Sequence, residues 1–433
     1  MKKNYQMSDA AAMGLAVPEA VTVAMAELAA DVQEGLLAMA VGTGLQVMAA
    51  MMNADVAAVC GPKGRHDRDR SAVRHGTGKG SVTLGGRRVR VDRPRMRAVD
   101  GIGELAVPAY ELFSQTEVLG RMAMERMLAG LSTRRYPVGF EPVGAKVERR
   151  AGATSKSAVS RRFVAATETA LAELLATPLG ELDLVALMID GVHFGEHLCV
   201  VALGIGIDGV KHPLGLVEGS TENTTVVTEL LSGLRERGLD THRPILVGID
   251  GAKALRAGVA KVFDHPVIQR CQLHKVRNVA DKLPDHLAAT VTRRMRAAYH
   301  ADSALVAEAQ LEALAKELER THPGAAGSLR EGLSETLTVL RLGVPPTLAR
   351  TLRSTNSIES MISIARTHSA NVKNWQNGTM ALRWCAAGMI EARGQFRRVN
   401  GHLHLPALRA ALDAHVAAQT AGTVHQDDNM IAA

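Results

Sequence analysis

Two aspartates stand out for the chemistry they could perform together. The run LVALMID ends at Asp190 and PILVGID ends at Asp250, and a glycine follows each. A buried apolar strand that ends in an acid delivers a carboxylate to the edge of a sheet. Two such carboxylates can converge on hard divalent cations, because Mg²⁺ prefers oxygen ligands and keeps some of its waters. A pair of ions about 3.5–4 Å apart can activate an attacking water and stabilise a leaving oxygen in phosphodiester cleavage. One Asp-Gly after a strand is ordinary turn chemistry; two in matched settings favour the metal reading. Such a site needs a third acid. Glu359, in RSTNSIESMISIAR, lies on a predicted helix between polar Asn356 and Ser360 and apolar Ile358, Met361 and Ile362. Spacing alone does not separate it from a solvated glutamate.

The elements that must position these acids follow from periodicity. After the first strand, HLCVVALGIGID and VKHPLGLVEG read as two more, joined by a turn at Asp208-Gly209. TENTTVVTELLSGLRERGL has the cap, the amphipathic spacing and the glycine stop of a helix. A second helix from Ala252 and a short strand, PVIQRC, complete a mixed α/β sheet over residues 183–275. The chain is then almost wholly helical to Arg350, with HPGAAGS as its clearest break. Another helical run extends from Ser354 past Trp384, and the tail from Ala421 is expected to fray.

Charge is concentrated in the first half. Between Gly61 and Arg97, twelve lysines and arginines face three aspartates, a local charge of +9 against +7 for the whole chain. The stretch is rich in glycine, and SVTLGGRRVRVDRP alternates like a hairpin. Arg74, Arg87, Arg88, Arg90, Arg93 and Arg95 belong to it. A second basic block follows between Arg121 and Arg162. Its short predicted helices are ELFSQTEVLGRMAMERMLAG, then STRRY capped by Ser132 and ended by Pro137. A longer helix capped by Thr154 or Ser155 comes last, with Lys156, Arg161 and Arg162 in its first turns. That order resembles a helix-turn-helix reader. Arginine's planar fork suits phosphate oxygens and guanine edges, so double-stranded DNA is the expected partner.

Other classes are disfavoured. Apolar residues make up 46% and charged residues 22%, which does not describe a disordered chain. The four cysteines, Cys60, Cys199, Cys271 and Cys385, are widely spaced, fitting a reducing compartment rather than a disulfide framework. No signal peptide is evident, so a cytoplasmic, nucleoid-associated protein is expected. Residues 35–54 are uncharged, but Gly35, Gly42, Thr43, Gly44 and Gln46 dilute them, so a buried or self-associating helix is expected rather than a membrane span.

Taken together, the motifs resemble the bacterial insertion-sequence transposases of the Mutator superfamily, which use an Asp-Asp-Glu triad. The resemblance covers nearly the whole chain. It is carried by RHGTGKGSVTLGGRRVRVDRPRMR, GLSTRRY, SKSAVSR, LMIDG, LRERGL, VGIDGAKAL, QRCQLHKVRN, STNSIES and NWQNGTMALRW. It implies that Asp190, Asp250 and Glu359 form the triad and hold Mg²⁺, with Mn²⁺ able to substitute. It also places the superfamily's Cys/Asp-x2-His element on Cys271 and His274. The implied fold is multidomain α/β: a ribonuclease-H-like mixed sheet with an all-α insertion, preceded by helical and basic DNA-binding domains. The implied activity is binding of terminal inverted repeats, phosphodiester cleavage and strand transfer by a homodimer or higher oligomer on DNA. A ribonuclease-H-like nuclease without joining activity and a non-catalytic DNA-binding regulator are the competing readings.

The expected divisions are a helical segment (1–60), a basic Gly/Arg-rich DNA-binding segment (61–105) and a helix-turn-helix-like region (106–182). The core follows (183–275), then the all-α insertion (276–350), the core's C-terminal helices (351–420) and a flexible tail (421–433). Three patterns within them are decoys. Gly204 to Gly209 fits the dinucleotide fingerprint but lacks the following helix that phosphate binding requires. His193 to His197 fits a zinc-protease pattern, yet Gly195 marks a turn between strands. Cys271 and His274 have no partner pair at zinc-finger spacing. Packing and hydrogen bonding beside the acids is expected of them, with His274 in reach of the scissile phosphate. Trp375, in the polar KNWQNG, could stack on an unpaired base or serve packing, and Trp384 reads as core.

Overall fold

A computed structural model describes residues 35–65, 70–100, 103–140 and 143–431. Expectations for residues 1–34, and for Arg68 in the basic block, lie outside these described residues. The chain forms two compact units, residues 1–163 and 164–433.

In the first unit, helix α1 (Leu36–Cys60) precedes a long antiparallel hairpin of β1 (Ala72–Leu84) and β2 (Arg87–Ala98). Gly85 and Gly86 both have positive φ and make the two-residue turn that joins the strands. Strands β3 (Glu104–Leu105) and β4 (Ala151–Gly152) add to β2. Helices α2 (Pro108–Ser114), α3 (Glu117–Leu128) and the one-turn α4 (Ala145–Glu148) complete the unit, and α5 (Lys156–Ala176) begins in it. Ala72, Met96, Val107 and Ala109 pack with Met52, Val56 and Cys60 of α1.

Two expectations need correction here. Helix α1 is long and apolar enough to cross a membrane; of the expected buried or self-associating helix, the buried form is not seen, since only a narrow stripe is covered and Leu36, Val47 and Met51 are exposed. Among the described residues no helix-turn-helix forms: residues 129–155 separate α3 from α5, and they hold a 3-10 turn over Tyr136–Gly139, α4 and strand β4. Gly130, Pro137 and Gly144 break what a tight turn would have needed to keep helical. Ser155 does cap α5, its Oγ accepting from the Ala158 N–H at 3.3 Å.

The second unit is built on one mixed sheet. Strands β5 (Leu184–Phe194), β6 (His197–Gly206) and β7 (Lys211–Gly219) form an antiparallel meander. Helix α6 (Thr224–Glu236), β8 (Ile245–Ile249), α7 (Lys253–Val262) and β9 (Pro266–Arg270) follow, giving the order β7-β6-β5-β8-β9. Both β8 and β9 run parallel to β5. The strand–helix order is the one read from sequence, and the hairpins fall where both decoy motifs were discounted. Gly195 and Gly209 are their positive-φ residues.

Alternation along β5 splits two cores. Leu187 and Ile189 pack against α6 and α7 through Val227, Leu231, Leu255 and Val259. Met188, Val192 and Phe194 pack with Ile358, Met361, Cys385 and Met389 on the opposite face. Each fully buried side chain of this size contributes about 1.5–3 kcal/mol.

Beyond β9 comes an all-helical segment: α8 (Gln272–Ala280), α9 (Asp285–Ala298), α10 (Ala304–Glu319), α11 (Pro323–Arg330), α12 (Leu333–Thr336), α13 (Thr338–Arg341) and α14 (Pro346–Leu352). It has its own core around Met295, Leu311, Leu314 and Leu329. The break expected at HPGAAGS falls at its start: α10 stops at Glu319, and Pro323 opens the first turn of α11, where its missing N–H costs nothing, so the rest of the stretch is helical. Helices α15 (Asn356–Ser369), α16 (Gly378–Gln395) and α17 (Leu405–Ile431) close the chain. Helix α17 reaches Ile431, within the segment from Ala421 expected to fray.

Helices α15 and α16 touch at Gly388, where an added Cβ would lie 2.6 Å from the Ala365 Cα. Gly388→Leu should therefore force α15 away and lower stability by about 1–3 kcal/mol. Thermal or urea denaturation of the variant beside the wild type measures this directly.

Candidate active site

Parallel pairing of β5 with β8 matches Ala186 to Leu246, Leu187 to Val247 and Met188 to Gly248. Carried forward at the same offset, it sets Asp190 level with Asp250, on strands about 4.8 Å apart. Asp190 is not the end of its strand, as the sequence reading had it. It pairs with Val201, and β5 runs on to Phe194 because β6 remains beside it along the whole hairpin. By alternation with Met188 and Val192, Asp190 faces the side covered by α15. The Gly191 N–H donates to Asp190 Oδ1 at 2.8 Å, and the Ala252 N–H to Asp250 Oδ1 at 2.8 Å.

Glu359 lies in the first turn of α15. Its Oε1 accepts a 2.6 Å hydrogen bond from Thr355 Oγ1 and stands 3.8 Å from His274 Nδ1. Thr355 also donates its N–H to Cys271 Sγ at 3.5 Å, and its hydroxyl lies 3.4 Å from His274 Nδ1. Cys271, His274 and Glu359 place one ligand atom each within 4.8 Å of one another.

Main-chain bonds hold this corner. The Cys271 N–H donates to the Ile249 carbonyl at 2.8 Å, and the Gln272 N–H to the Arg353 carbonyl at 3.0 Å. The helical segment is tied to β9 beside it. Arg270 Nε meets Glu335 at 2.5 Å, Gln269 bonds the Thr336 carbonyl and the Val339 N–H, and buried Lys275 donates to the Ser328 and Glu331 carbonyls.

The electrostatics are those of crowded acids. Burial pushes the Asp190 carboxyl up to about 6, and Asp250 and Glu359 add to the rise while the Gly191 N–H and His274 oppose it. Glu222, which sequence reasoning did not single out, is pushed up to about 7 by burial and then by Asp250 and Asp190. Hydrogen bonding to Cys271 raises His274, with burial opposing and Glu359 and Asp250 reinforcing. Burial pushes the Cys271 thiol up, but His274 and Thr355 outweigh it and hold the thiol below its usual range. No lysine or arginine appears among the groups acting on Asp190 or Glu222.

The structure thus brings Asp190, Asp250, Glu359, Cys271 and His274 together, and adds Glu222 and Thr355. The signal for Glu222 was available: an acid directly before the capping Asn223 of a helix that returns to the sheet edge. Trp375 has a packing environment. Its ring packs against Phe194 at a tilt of 55° with centroids 5.0 Å apart and meets Trp384 edge-on at 6.4 Å.

The basic residues divide sharply. Arg87 is buried, lies over the Phe140 ring at 4.2 Å and pairs with Glu148, so its guanidinium is turned inward and not toward a phosphate. The Gly85-Gly86 turn lets it fold back that way. Arg93 and Arg95 both pair with Glu104, Arg162 donates to the Ala153 carbonyl, and Arg74 to that of Gly61. Arg88 is held by Ser81, Thr83 and the Ser114 carbonyl. Arg90, Lys156 and Arg161 are exposed. Lys79, Arg88, Arg90 and Arg150 line one open groove of about 840 Å³ beside Tyr110 and Asp92.

Comparison with known proteins points to one class, the transposases. The family model described as transposase, Mutator family, matches residues 18–398. A probable insertion-sequence transposase of Corynebacterium diphtheriae is 29% identical over 48% of this chain and 61% of its own length. The transposase for IS6120 of Mycolicibacterium smegmatis is 28% identical over 54% of this chain and 72% of its own. That for ISRM5 of Rhizobium meliloti is 25% identical over 72% and 77%. With most of its length matched by the family model, the chain belongs to the Mutator family of transposases.

Proposed function

We propose that this chain binds the terminal inverted repeats of an insertion element, cleaves the phosphodiester backbone there and joins the freed 3′ hydroxyl to target DNA. The observation that carries the reading is the register of the adjacent parallel strands β5 and β8, which carried forward sets Asp190 level with Asp250 just past the end of β8, with α15 returning Glu359 to the same corner. The order β7-β6-β5-β8-β9, with β8 and β9 parallel to β5, supports a ribonuclease-H-like core.

Asp190, Asp250 and Glu359 would hold Mg²⁺, with Mn²⁺ able to substitute. Their fit rests on the donor set: oxygen ligands from separate elements, mutually repelling, with no cationic side chain acting on Asp190 other than His274. When bound, such ions supply an activated nucleophile and charge neutralisation at the phosphate. The chain's own groups do the rest. His274, oriented by Thr355 and Cys271, can donate to a phosphate oxygen. Arg90, Arg150, Lys156 and Arg161 offer exposed charge for the DNA backbone, as does Lys79, which is exposed beside its partner Asp92. DNA as substrate places the protein with the nucleoid in the cytoplasm, and paired element ends call for at least a homodimer.

Asp190→Asn, Asp250→Asn and Glu359→Gln should each lower cleavage of labelled terminal DNA at least roughly 100–1,000-fold. End binding in a mobility-shift assay should persist, since affinity comes mainly from phosphate contacts. Near-normal cleavage by any one variant removes that acid from the triad. A strand-transfer assay on the same DNA separates a transposase from a nuclease that cuts without joining.

Replacing Arg90, Arg150 and Lys156 together with glutamine should reduce the slope of log affinity against log salt by roughly 0.9 per lost phosphate contact. An unchanged slope would move the DNA interface off these residues.

Asp190 binds its proton more tightly in the folded chain, at about 6 against an ordinary 3.8. Its contribution to stability is therefore complete below the ordinary value and is lost as pH rises through the folded one. In metal-free protein, the melting-temperature advantage of Asp190→Asn over wild type should grow as pH is raised across that window. A constant difference would show that Asp190 is not held among repelling acids.

A further inference from the structure

Glycine at position 191 is not a turn residue. It lies inside β5, pairs with Val200 and has no positive φ. A glycine there weakens the strand, so a close approach is the physical reason to look for. An added Cβ would lie 2.9 Å from Glu222 Oε2 and 3.2 Å from Leu198 Cδ1. By the alternation of β5, residue 191 faces the side packed by α6, opposite the side from which α15 brings Glu359. Glu222 immediately precedes Asn223, whose side chain accepts from the Thr225 and Val226 N–H groups and fixes where α6 begins. The cap thus anchors the glutamate, and the gap at Gly191 admits its carboxylate to the neighbourhood of the aspartate pair.

The groups acting on the Glu222 carboxyl are the surrounding protein that buries it, Asp250 and Asp190; no cation or hydrogen-bond donor is among them. Like charges gathered this way are unfavourable until a cation shares them. We infer that Glu222 is a fourth carboxylate of the active site, a ligand for a divalent cation held with Asp190 and Asp250 from the sheet face opposite Glu359, and that residue 191 is glycine to admit it. The inference rests on the reading of Asp190 and Asp250 as the metal-binding pair.

The test is calorimetric titration of Mn²⁺ into the metal-free full chain at neutral pH, with cleavage measured in parallel. Glu222→Gln should weaken Mn²⁺ binding at least roughly tenfold, and Glu222→Asp should recover part of that loss. Gly191→Ala should reproduce the loss without removing the acid, because the new methyl displaces the flexible end of Glu222 and crowds Leu198 Cδ1 only by a few tenths of an ångström. Without metal, Glu222→Gln should melt at or above the wild-type temperature, since a repulsion is removed.

Affinity within about twofold of wild type for Glu222→Gln, alongside lost binding in Asp190→Asn, overturns the role of Glu222 and leaves the aspartate pair standing. Unchanged Mn²⁺ affinity in both variants overturns the pair itself. Failure of metal-free Glu222→Gln to fold would show a structural carboxylate and also overturn the proposal.

Discussion

Repulsion between carboxylates brought to one edge of a sheet is the constraint on which the second unit depends. Left in water, Asp190, Asp250, Glu222 and Glu359 would separate. The parallel register of β5 and β8 forbids that for the two aspartates, because moving either would cost the ladder and the apolar packing of Leu187, Ile189 and Val247. Burial then raises the Asp190 and Glu222 carboxyls together. A rigid sheet that holds charges closer than they would choose is the feature on which the proposed cation site rests.

Glu359 reaches this edge by a longer route. The helical segment between the second aspartate and α15 has a core of its own, and polar side chains fasten it to β9 rather than apolar interdigitation alone. Arg270 with Glu335, Gln269 with the backbone of α12 and α13, and Lys275 with two carbonyls are buried or half-buried bonds whose partners would be left unsatisfied if the segment slipped. Thr355 completes the placement, joining Cys271, His274 and Glu359 through one residue's N–H and hydroxyl. The Cys-x2-His spacing therefore has a positioning logic: cysteine caps the end of β9, and histidine one turn later faces the acids.

In the first unit, arginine serves two ends. Some guanidiniums hold the hairpin together, as Arg87 does against Phe140 and Glu148 and Arg88 against the strand and α2. Others line the groove with Lys79. A basic run is thus partly scaffold, and net charge overstates the surface available to a polyanion.

Much of this was legible in the sequence because it is written in local periodicity. The apolar runs before Asp190 and Asp250, the glycine turns at Gly195 and Gly209, and the Asn223 cap before an amphipathic helix each follow from short-range sterics and hydrogen bonding, so strand and helix order could be read directly. The level placement of the two aspartates, the approach of Glu222 through the gap at Gly191, the inward turn of Arg87 and the continuation of β5 past Asp190 could not. Each depends on which strand lies beside which and on which face a neighbour fills. Those are set by packing between residues far apart in the chain, where no local preference acts.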